Sequence, residues 1–323
     1  MKGIMKDKDA YKKELENQQY RFIGEHSAVK ICTWTKKSLR DQGVCYKQKF
    51  YGINSHRCCQ ISVTVNFCDQ ECVFCWRKRH NEPFSEFSNI DDPKEIIDNA
   101  IKYQRLLLSG MGGNEKVKNK QKLKEAQNPI HFAISLTGET LYYPKLSELI
   151  KEIKKRGYSS FVVTNGQLPE VTAKLEPPTQ LYLTVAAPTK QLYKKVCNPA
   201  NKDYWERLNR SLETLKDMRL KKKTRTAIRL TLVKGYNMVK PEEYAKLVAK
   251  AEPDFLEVKA YMFVGASRQR LEKENMPYHK DIVEFANKIA ENFDYKIIDE
   301  QPESRVVLMM KADKKDRVMS FKP

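Results

Sequence analysis

Residues 61–76 read ISVTVNFCDQECVFCW, an alternating β-branched run, Ile61 to Phe67, that delivers three cysteines, Cys68, Cys72 and Cys75, within eight residues. The alternation predicts a strand, and the loop after it carries three thiols with no fourth nearby. A structural zinc site wants four ligands, normally as two paired knuckles. A [4Fe-4S] cluster held by three cysteines instead keeps one iron open for an exogenous ligand. Zinc and disulfide readings stay open on spacing alone.

The pattern downstream of this stretch decides the fold class. Five further apolar runs read as strands: His131 to Thr137, Ser160 to Thr164, Gln180 to Val185, Ala227 to Val233 and Phe255 to Tyr261. Helical segments alternate with them at Pro93 to Leu108, Leu146 to Arg156, Glu170 to Leu175, Tyr204 to Arg219, Pro241 to Ala251 and His279 to Asn292. Asp92 as N-cap with Pro93 at the first helical position marks the first of these. Six strands, each apolar on both faces and each followed by a helix, predict an α/β chain with a parallel sheet. Six such units bend into a partial (β/α)6 barrel; a doubly wound open sheet is the alternative. In either, ligands gather at the carboxyl ends of the strands, where the cysteine loop lies. The expected division is residues 1–60 as an N-terminal extension, 61–295 as the barrel and 296–323 as a C-terminal extension with edge strands at Lys296 to Ile298 and Val306 to Met310.

Composition narrows the partners. Sixty Lys and Arg against 41 Asp and Glu give a formal charge of +19, which favours a polyanion, nucleic acid first. The first twenty residues hold no apolar stretch of the signal-peptide kind, and no run approaches a membrane span, so no membrane partner and a cytoplasmic location are expected. Seven of eight cysteines, Cys32, Cys45, Cys58, Cys59, Cys68, Cys72 and Cys75, fall within 44 residues. In a reducing compartment that clustering favours metal over disulfides. Cys197 reads as an ordinary buried or turn cysteine.

The C-x3-C-x2-C spacing, with Phe74 just before the third cysteine, resembles the signature of the radical S-adenosylmethionine (SAM) superfamily. The resemblance implies a cluster whose open iron chelates SAM and whose electron cleaves it to methionine and a 5′-deoxyadenosyl radical. It also assigns cofactor-binding roles. Phe74 belongs to the motif; Gly138 and Glu139, in Ser135-Leu136-Thr137-Gly138-Glu139-Thr140, look like the Gly-Gly-Glu segment that holds the methionine ammonium, with Thr137 in place of the first Gly. Thr164 and Asn165, at the end of the third expected strand, would reach the SAM ribose or carboxylate.

A second set, Cys32, Cys45 and Cys58, is spaced by twelve intervening residues each time and ends ten residues before Cys68. Read alone, these are equally well three unrelated cysteines. Together with Tyr46-Lys47 and with Val258-Lys259-Ala260-Tyr261-Met262-Phe263-Val264-Gly265-Ala266-Ser267, they resemble the archaeal branch of the tRNA 4-demethylwyosine synthase family across essentially the whole chain. That resemblance implies a second [4Fe-4S] cluster at the three cysteines. It implies N1-methylguanosine-37 in the anticodon loop of tRNA(Phe), with pyruvate, as substrates, and a radical condensation of the carbon-carbon lyase class as the reaction. Lys47 would form a Schiff base with pyruvate, or the open iron of the second cluster would chelate it. No flavodoxin-like domain of the eukaryotic kind is visible, so an external low-potential donor of flavodoxin or ferredoxin type, and a monomer, are expected. Cys59 is left unassigned, and His56 reads as a local hydrogen-bonding residue.

A base in a single-stranded loop is splayed into a pocket at modest cost, so positive charge is expected around the barrel mouth. The chosen RNA-binding residues are Arg77, Arg79, Arg268 and Arg270, with Lys116 to Lys124 and Lys221 to Lys223 as further runs. Trp76, Tyr261 and Phe263 read equally as base-stacking or core residues. Two other classes fit parts of the pattern: a glycyl-radical activase, against which the charge counts, and a zinc-binding RNA protein.

Overall fold

The structure is a computed structural model that describes residues 2–78 and 87–321, with side chains from residue 10 onward. Its strands are β1 (Arg21–Phe22), β2 (Ala28–Lys30), β3 (Cys58–Ser62), β4 (His131–Ile134), β5 (Ser159–Thr164), β6 (Gln180–Thr184), β7 (Arg225–Leu232), β8 (Phe255–Ala260), β9 (Lys296–Gln301) and β10 (Val306–Met310). The chain divides into two compact units, one of Met1–Cys45, Ile53–Phe67 and His80–Ser160, the other of Tyr46–Gly52, Cys68–Arg79 and Phe161–Pro323.

In the first unit β2 pairs antiparallel with β1 and with β3, Val29 facing Ile61, and β3 runs parallel to β4 from Cys58 opposite His131 to Ile61 opposite Ile134. A parallel pair needs a long crossover, and helix Pro93–Leu108 lies in that connection. Asp92 Oδ1 accepts from the amides of Lys94 (2.8 Å) and Glu95 (3.3 Å), satisfying two of the orphan donors of the first turn. The helix buries Ile96, Ile97, Ala100, Gln104 and Leu108, the spacing of one helical face.

The first expected strand is displaced. It begins at Cys58 and stops at Ser62, because the backbone beyond it finds partners outside the ladder. Val65 N donates to His26 O (2.9 Å), Phe67 N to Thr64 O (3.0 Å), and Asn66 takes a left-handed conformation at φ 67°. Val63, Val65 and Phe67 are nevertheless buried, so a buried loop mimics strand alternation.

In the second unit β5, β6, β7 and β8 are successively parallel, with Val162 facing Leu181, Tyr182 facing Ala227 and Leu230 facing Val258. Nearly all residues of β5, β6 and β8 and most of those of β7 are buried, as a sheet covered on both faces requires. The covering helices are Pro169–Lys174, Lys190–Cys197, Tyr204–Leu220, Pro241–Ala251 and His279–Ala290. Helix Lys190–Cys197 is absent from the sequence reading. At the far edge β10 pairs antiparallel with both β8 and β9 and is wholly buried; of the two expected edge strands, β9 alone is one. Among the described residues no helix is long and apolar enough to cross a membrane.

Candidate active site

The cysteine loop belongs to the second unit and is pinned along its backbone. Glu71 N donates to Cys197 O (2.7 Å), Val73 N to Val196 O (2.8 Å) and Ala200 N to Asp69 O (2.8 Å), so the end of helix Lys190–Cys197 serves as a rail for the loop. Cys75 N donates to Cys72 O (3.0 Å), closing a turn between the second and third cysteines. Asn165, just beyond β5, donates from Nδ2 to Asp69 Oδ1 (2.7 Å), and Asn201 donates to Asp69 Oδ2 (2.8 Å). Phe74 and Val73 pack against buried Val233, Tyr261 and Leu271. Thr164 is buried and accepts from Gly166 N (3.1 Å). Thus Thr164 and Asn165 stand at a strand end as expected, but Asn165 reaches the cysteine loop itself.

The first unit carries Cys32, Cys45 and Cys58 on three segments tied together by one buried residue, Ser55. Its carbonyl accepts from Thr35 Oγ1 (2.9 Å), three residues after Cys32, and its hydroxyl accepts from Cys45 N (2.9 Å). Ser55 itself opens the turn that ends at Cys58. Behind Cys58, His131 Nε2 accepts from Asn54 N (3.0 Å) while Nδ1 faces Ser159 Oγ (2.7 Å). Burial, and after it the charges of Arg57 and His56, push the His131 imidazole down to about 3, so it is neutral at physiological pH. His56 is a hydrogen-bonding residue, but its partner is Glu125, at 2.7 Å and 69 residues away in the chain, not the local one expected.

In the same unit Gly138 has φ +78°, and a Cβ there would lie 1.8 Å from Thr64 O. Only glycine allows this approach. Glu139 is buried, its amide donating to Phe67 O (2.6 Å) and its carboxylate accepting from Leu141 N (3.2 Å) to cap the next turn.

The eight thiols sort into two kinds. Cys32, Cys45, Cys58, Cys68, Cys72 and Cys75 are all partly accessible and outside any disulfide, whereas Cys59 and Cys197 are buried. Burial, and then neighbouring Cys58, push the Cys59 thiol well above its ordinary range, which leaves it inert. The six accessible cysteines are those expected as ligands, and three soft donors per set are chemically suited to an iron-sulfur cluster. Among the described residues no three His, Cys, Asp or Glu side chains converge on a point suited to one metal ion, so this fit rests on thiol chemistry and accessibility.

Lys47 is in the second unit, on helix Tyr46–Tyr51. Its Nζ lies 4.5 Å from the centre of the Tyr182 ring and 5.0 Å from that of Phe161. The helix is anchored by the hydroxyls of Tyr46 (3.1 Å) and Tyr51 (2.7 Å), both donating to the buried Glu257 carboxylate. Arg229 completes the network, donating to Glu257 Oε2 (2.9 Å) and to the Tyr46 hydroxyl (2.7 Å), with its guanidinium 4.7 Å from the other ring partner of Lys47, Tyr182. Burial by itself disfavours the Arg229 charge, but Tyr46 and Glu257 more than offset it and its pKa is raised. Sequence reading missed this support, since the partners of Tyr46 lie 183 and 211 residues away and leave no local signal.

The basic residues separate as well. Arg77 is 5% exposed, its guanidinium 3.0 Å above the ring of Trp76, which is the exposed member of the pair. Arg77 is thus buried against Trp76, where an exposed RNA-contact residue was expected. Arg79 lies outside the described residues. Arg268 is exposed, 5.4 Å from the Phe263 ring. Arg270 is exposed but donates to Val73 O (3.3 Å) and to Cys75 O. Tyr261 and Phe263 take the core reading. Lys221 to Lys223 precede β7 and so stand at the opposite strand end from the cysteine loop; Lys222 is occupied with the carbonyls of Ala173 (2.8 Å) and Leu175 (2.9 Å).

An α/β chain with a three-cysteine loop of this spacing is that of a radical SAM protein, and the model of the radical SAM superfamily matches residues 62–248, so the chain belongs to that superfamily and has its partial barrel fold. A second model, described as wyosine base formation, matches residues 250–311. The chain is 49% identical over 302 residues to the SAM-dependent tRNA 4-demethylwyosine synthase of Pyrococcus horikoshii, covering 92% of this chain and 87% of the relative. To that of Methanocaldococcus jannaschii it is 41% identical over 311 residues, 94% and 96% of the two chains. The human relative, TYW1, is 38% identical over 303 residues, 93% of this chain but 41% of the human protein. A solved structure of TYW1 with a lysine-pyruvate adduct bound matches with TM-score 0.84 at 38% identity, over 96% of this chain and 98% of that one; a crystal structure of archaeal TYW1 matches with TM-score 0.76 at 35%, over 94% and 95%. The chain belongs to the tRNA 4-demethylwyosine synthase family.

Proposed function

We propose that the protein condenses N1-methylguanosine-37 of tRNA(Phe) with pyruvate to form the tricyclic base 4-demethylwyosine, a carbon-carbon lyase-class reaction that uses SAM and two [4Fe-4S] clusters. Cys68, Cys72 and Cys75 hold the cluster that, with SAM, supplies a 5′-deoxyadenosyl radical able to take a hydrogen atom from the N1-methyl group. Cys32, Cys45 and Cys58 hold the second; their accessibility and shared tie to Ser55 support it.

The observation that carries the reading is the setting of Lys47 against Tyr182 and Phe161, in a chain so similar to one solved with a lysine-pyruvate adduct. We assign the adduct here to Lys47. The ring faces hold its ammonium in place; after giving up a proton, the amine attacks the keto carbon of pyruvate and water leaves. For SAM we assign Gly138 and Glu139 in the first unit and Phe74, Thr164 and Asn165 in the second, Asn165 by steadying the cysteine loop. The +19 charge draws in the tRNA, with Arg268 and the exposed ring of Trp76 as anticodon-loop contacts. An external flavodoxin- or ferredoxin-type donor supplies the electron to a cytoplasmic monomer.

The test is anaerobic incubation of the iron-loaded protein with SAM, a reductant, pyruvate and tRNA containing N1-methylguanosine, followed by nucleoside mass analysis. The tricyclic base should appear with two pyruvate carbons retained. Cleavage of SAM with the methylated base unchanged overturns the proposal.

A further inference from the structure

The segment after β8, Val264-Gly265-Ala266-Ser267-Arg268-Gln269-Arg270, enters the proposed function through Arg268 alone, yet it is built with unusual care. Ser267 is fully buried; its hydroxyl donates to Val264 O (2.6 Å) and accepts from the buried Tyr261 hydroxyl (2.9 Å). Gly265 has φ +61°, and a Cβ there would lie 2.2 Å from Trp76 O, so its backbone rests directly on the end of the cysteine loop. Ala266 N donates to that same Trp76 oxygen (2.9 Å).

Arg270 completes the contact. Its Nε donates to Val73 O (3.3 Å) and its Nη2 to Cys75 O, so one guanidinium spans the tripeptide that ends in the third cysteine. Arginine presents its donors as a rigid, permanently charged fork. Here that fork is committed to the protein's own backbone, which is a poor arrangement for capturing a phosphate. The loop is thereby held from three sides: by Asn165 and Asn201 at Asp69, by Val196 and Cys197 along its middle, and by residues 265–270 at Cys75 and Trp76.

We infer that Arg270 is a positioning residue for the cysteine loop: it fixes the backbone that carries the Cys75 thiol and places a permanent positive charge beside the group the three thiols hold, and it is not a tRNA phosphate contact. The inference rests on assigning Cys68, Cys72 and Cys75 to a [4Fe-4S] cluster. Hydrogen bonds and charge around a cluster set its reduction potential, and a positive charge nearby favours the reduced form.

Wild type, Arg270→Gln and Arg270→Lys are compared after iron and sulfide reconstitution, without activity as a readout. The measurements are the midpoint potential of the SAM-responsive electron paramagnetic resonance signal, the rate of iron loss to a ferrous chelator, and the salt dependence of tRNA binding. Arg270→Gln should lower the potential and lose iron about tenfold faster, with wild-type tRNA affinity and salt slope. Arg270→Lys keeps the charge without the fork, so its potential should recover while iron loss stays fast; this variant decides the matter if Arg270→Gln folds poorly. Wild-type potential and iron retention in Arg270→Gln overturn the inference, as does wild-type iron retention in Arg270→Lys. So does a weaker tRNA affinity whose salt slope drops by about one, the mark of a lost phosphate contact. If the wild type itself gives no SAM-responsive signal, the cluster assignment fails first and takes the inference with it.

Discussion

Asn165 and Asp69 join the end of β5 to the cysteine loop, the Asn165 amide nitrogen 2.7 Å from one oxygen of a carboxylate whose other oxygen accepts from Asn201 at 2.8 Å. Leucine at position 165 leaves half of that carboxylate unsatisfied at a partly buried site, a cost of about 1–3 kcal/mol. Asn165→Asp sets two carboxylates against each other and should cost more. Urea unfolding of the metal-free protein and iron content after reconstitution check both; wild-type values in both assays would show that the bond is dispensable.

Lys47→Arg keeps a cation over the rings of Tyr182 and Phe161 but removes the nucleophilic amine. Borohydride trapping with pyruvate should label wild type at Lys47 and leave this variant unlabelled, with SAM cleavage retained. A label on another lysine refutes the assignment.

The two adjacent cysteines should behave differently. Cys58→Ala is expected to abolish the tricyclic product while uncoupled SAM cleavage continues; loss of both would mean that the two cysteine sets do not divide the work as proposed. Cys59 is fully buried in β3 beside Phe132 on β4. Cys59→Ser buries a hydroxyl there, costing about 1–3 kcal/mol if it finds no partner, with iron per folded chain unchanged.

Glu257→Gln strips the buried carboxylate from Arg229, Tyr46 and Tyr51 at once. Breaking a buried pair by removing one partner costs about 3–5 kcal/mol. Denaturant unfolding should register that loss, and Arg229→Met in the same chain should recover part of it. A single variant as stable as wild type would show that the network contributes little.

His131 predicts acid sensitivity. Its folded pKa, about 3, lies below the ordinary 6.5, so between those values the unfolded chain binds a proton that the native chain does not. Stability from this residue is therefore complete above pH 6.5 and declines by up to about 1.4 kcal/mol per pH unit as pH falls through the window. His131→Asn should flatten that part of the stability-pH curve for the metal-free protein; an unchanged slope excludes His131 as its source.

Legibility in the sequence tracks the range of each interaction. Helix Pro93–Leu108 is readable to the residue because Asp92, Pro93 and an apolar face with the helical period are local signals. The parallel strands of each unit are readable as apolar runs, but the first is shifted because Val65 finds its partner at His26, remote in the chain. Helix Lys190–Cys197 escapes sequence reading because its exposed face is lysine-rich and its apolar residues are few, Leu192, Tyr193 and Val196. Lys221 to Lys223 read as mouth residues until β7 shows which strand end they precede.

By itself the sequence determined the α/β class, the two sets of three cysteines, the singling out of Lys47 and the excess of positive charge. The α/β class, the cysteine spacings and the charge are short-period patterns, covalent spacings and composition, which need no knowledge of what meets what; the grouping of Cys32, Cys45 and Cys58 as one ligand set and the singling out of Lys47 came from the family resemblance alone. Tertiary structure alone decided that Ser55 ties the segments of one cysteine set, that Lys47 lies against Tyr182 and Phe161, that Arg77 is buried behind Trp76, and that Arg270 grips the cysteine loop. Each is a hydrogen bond or ring contact fixed by packing. The deciding partners are mostly remote in the chain, 114 and 135 residues from Lys47 and 195 and 197 from Arg270, where no local propensity reaches.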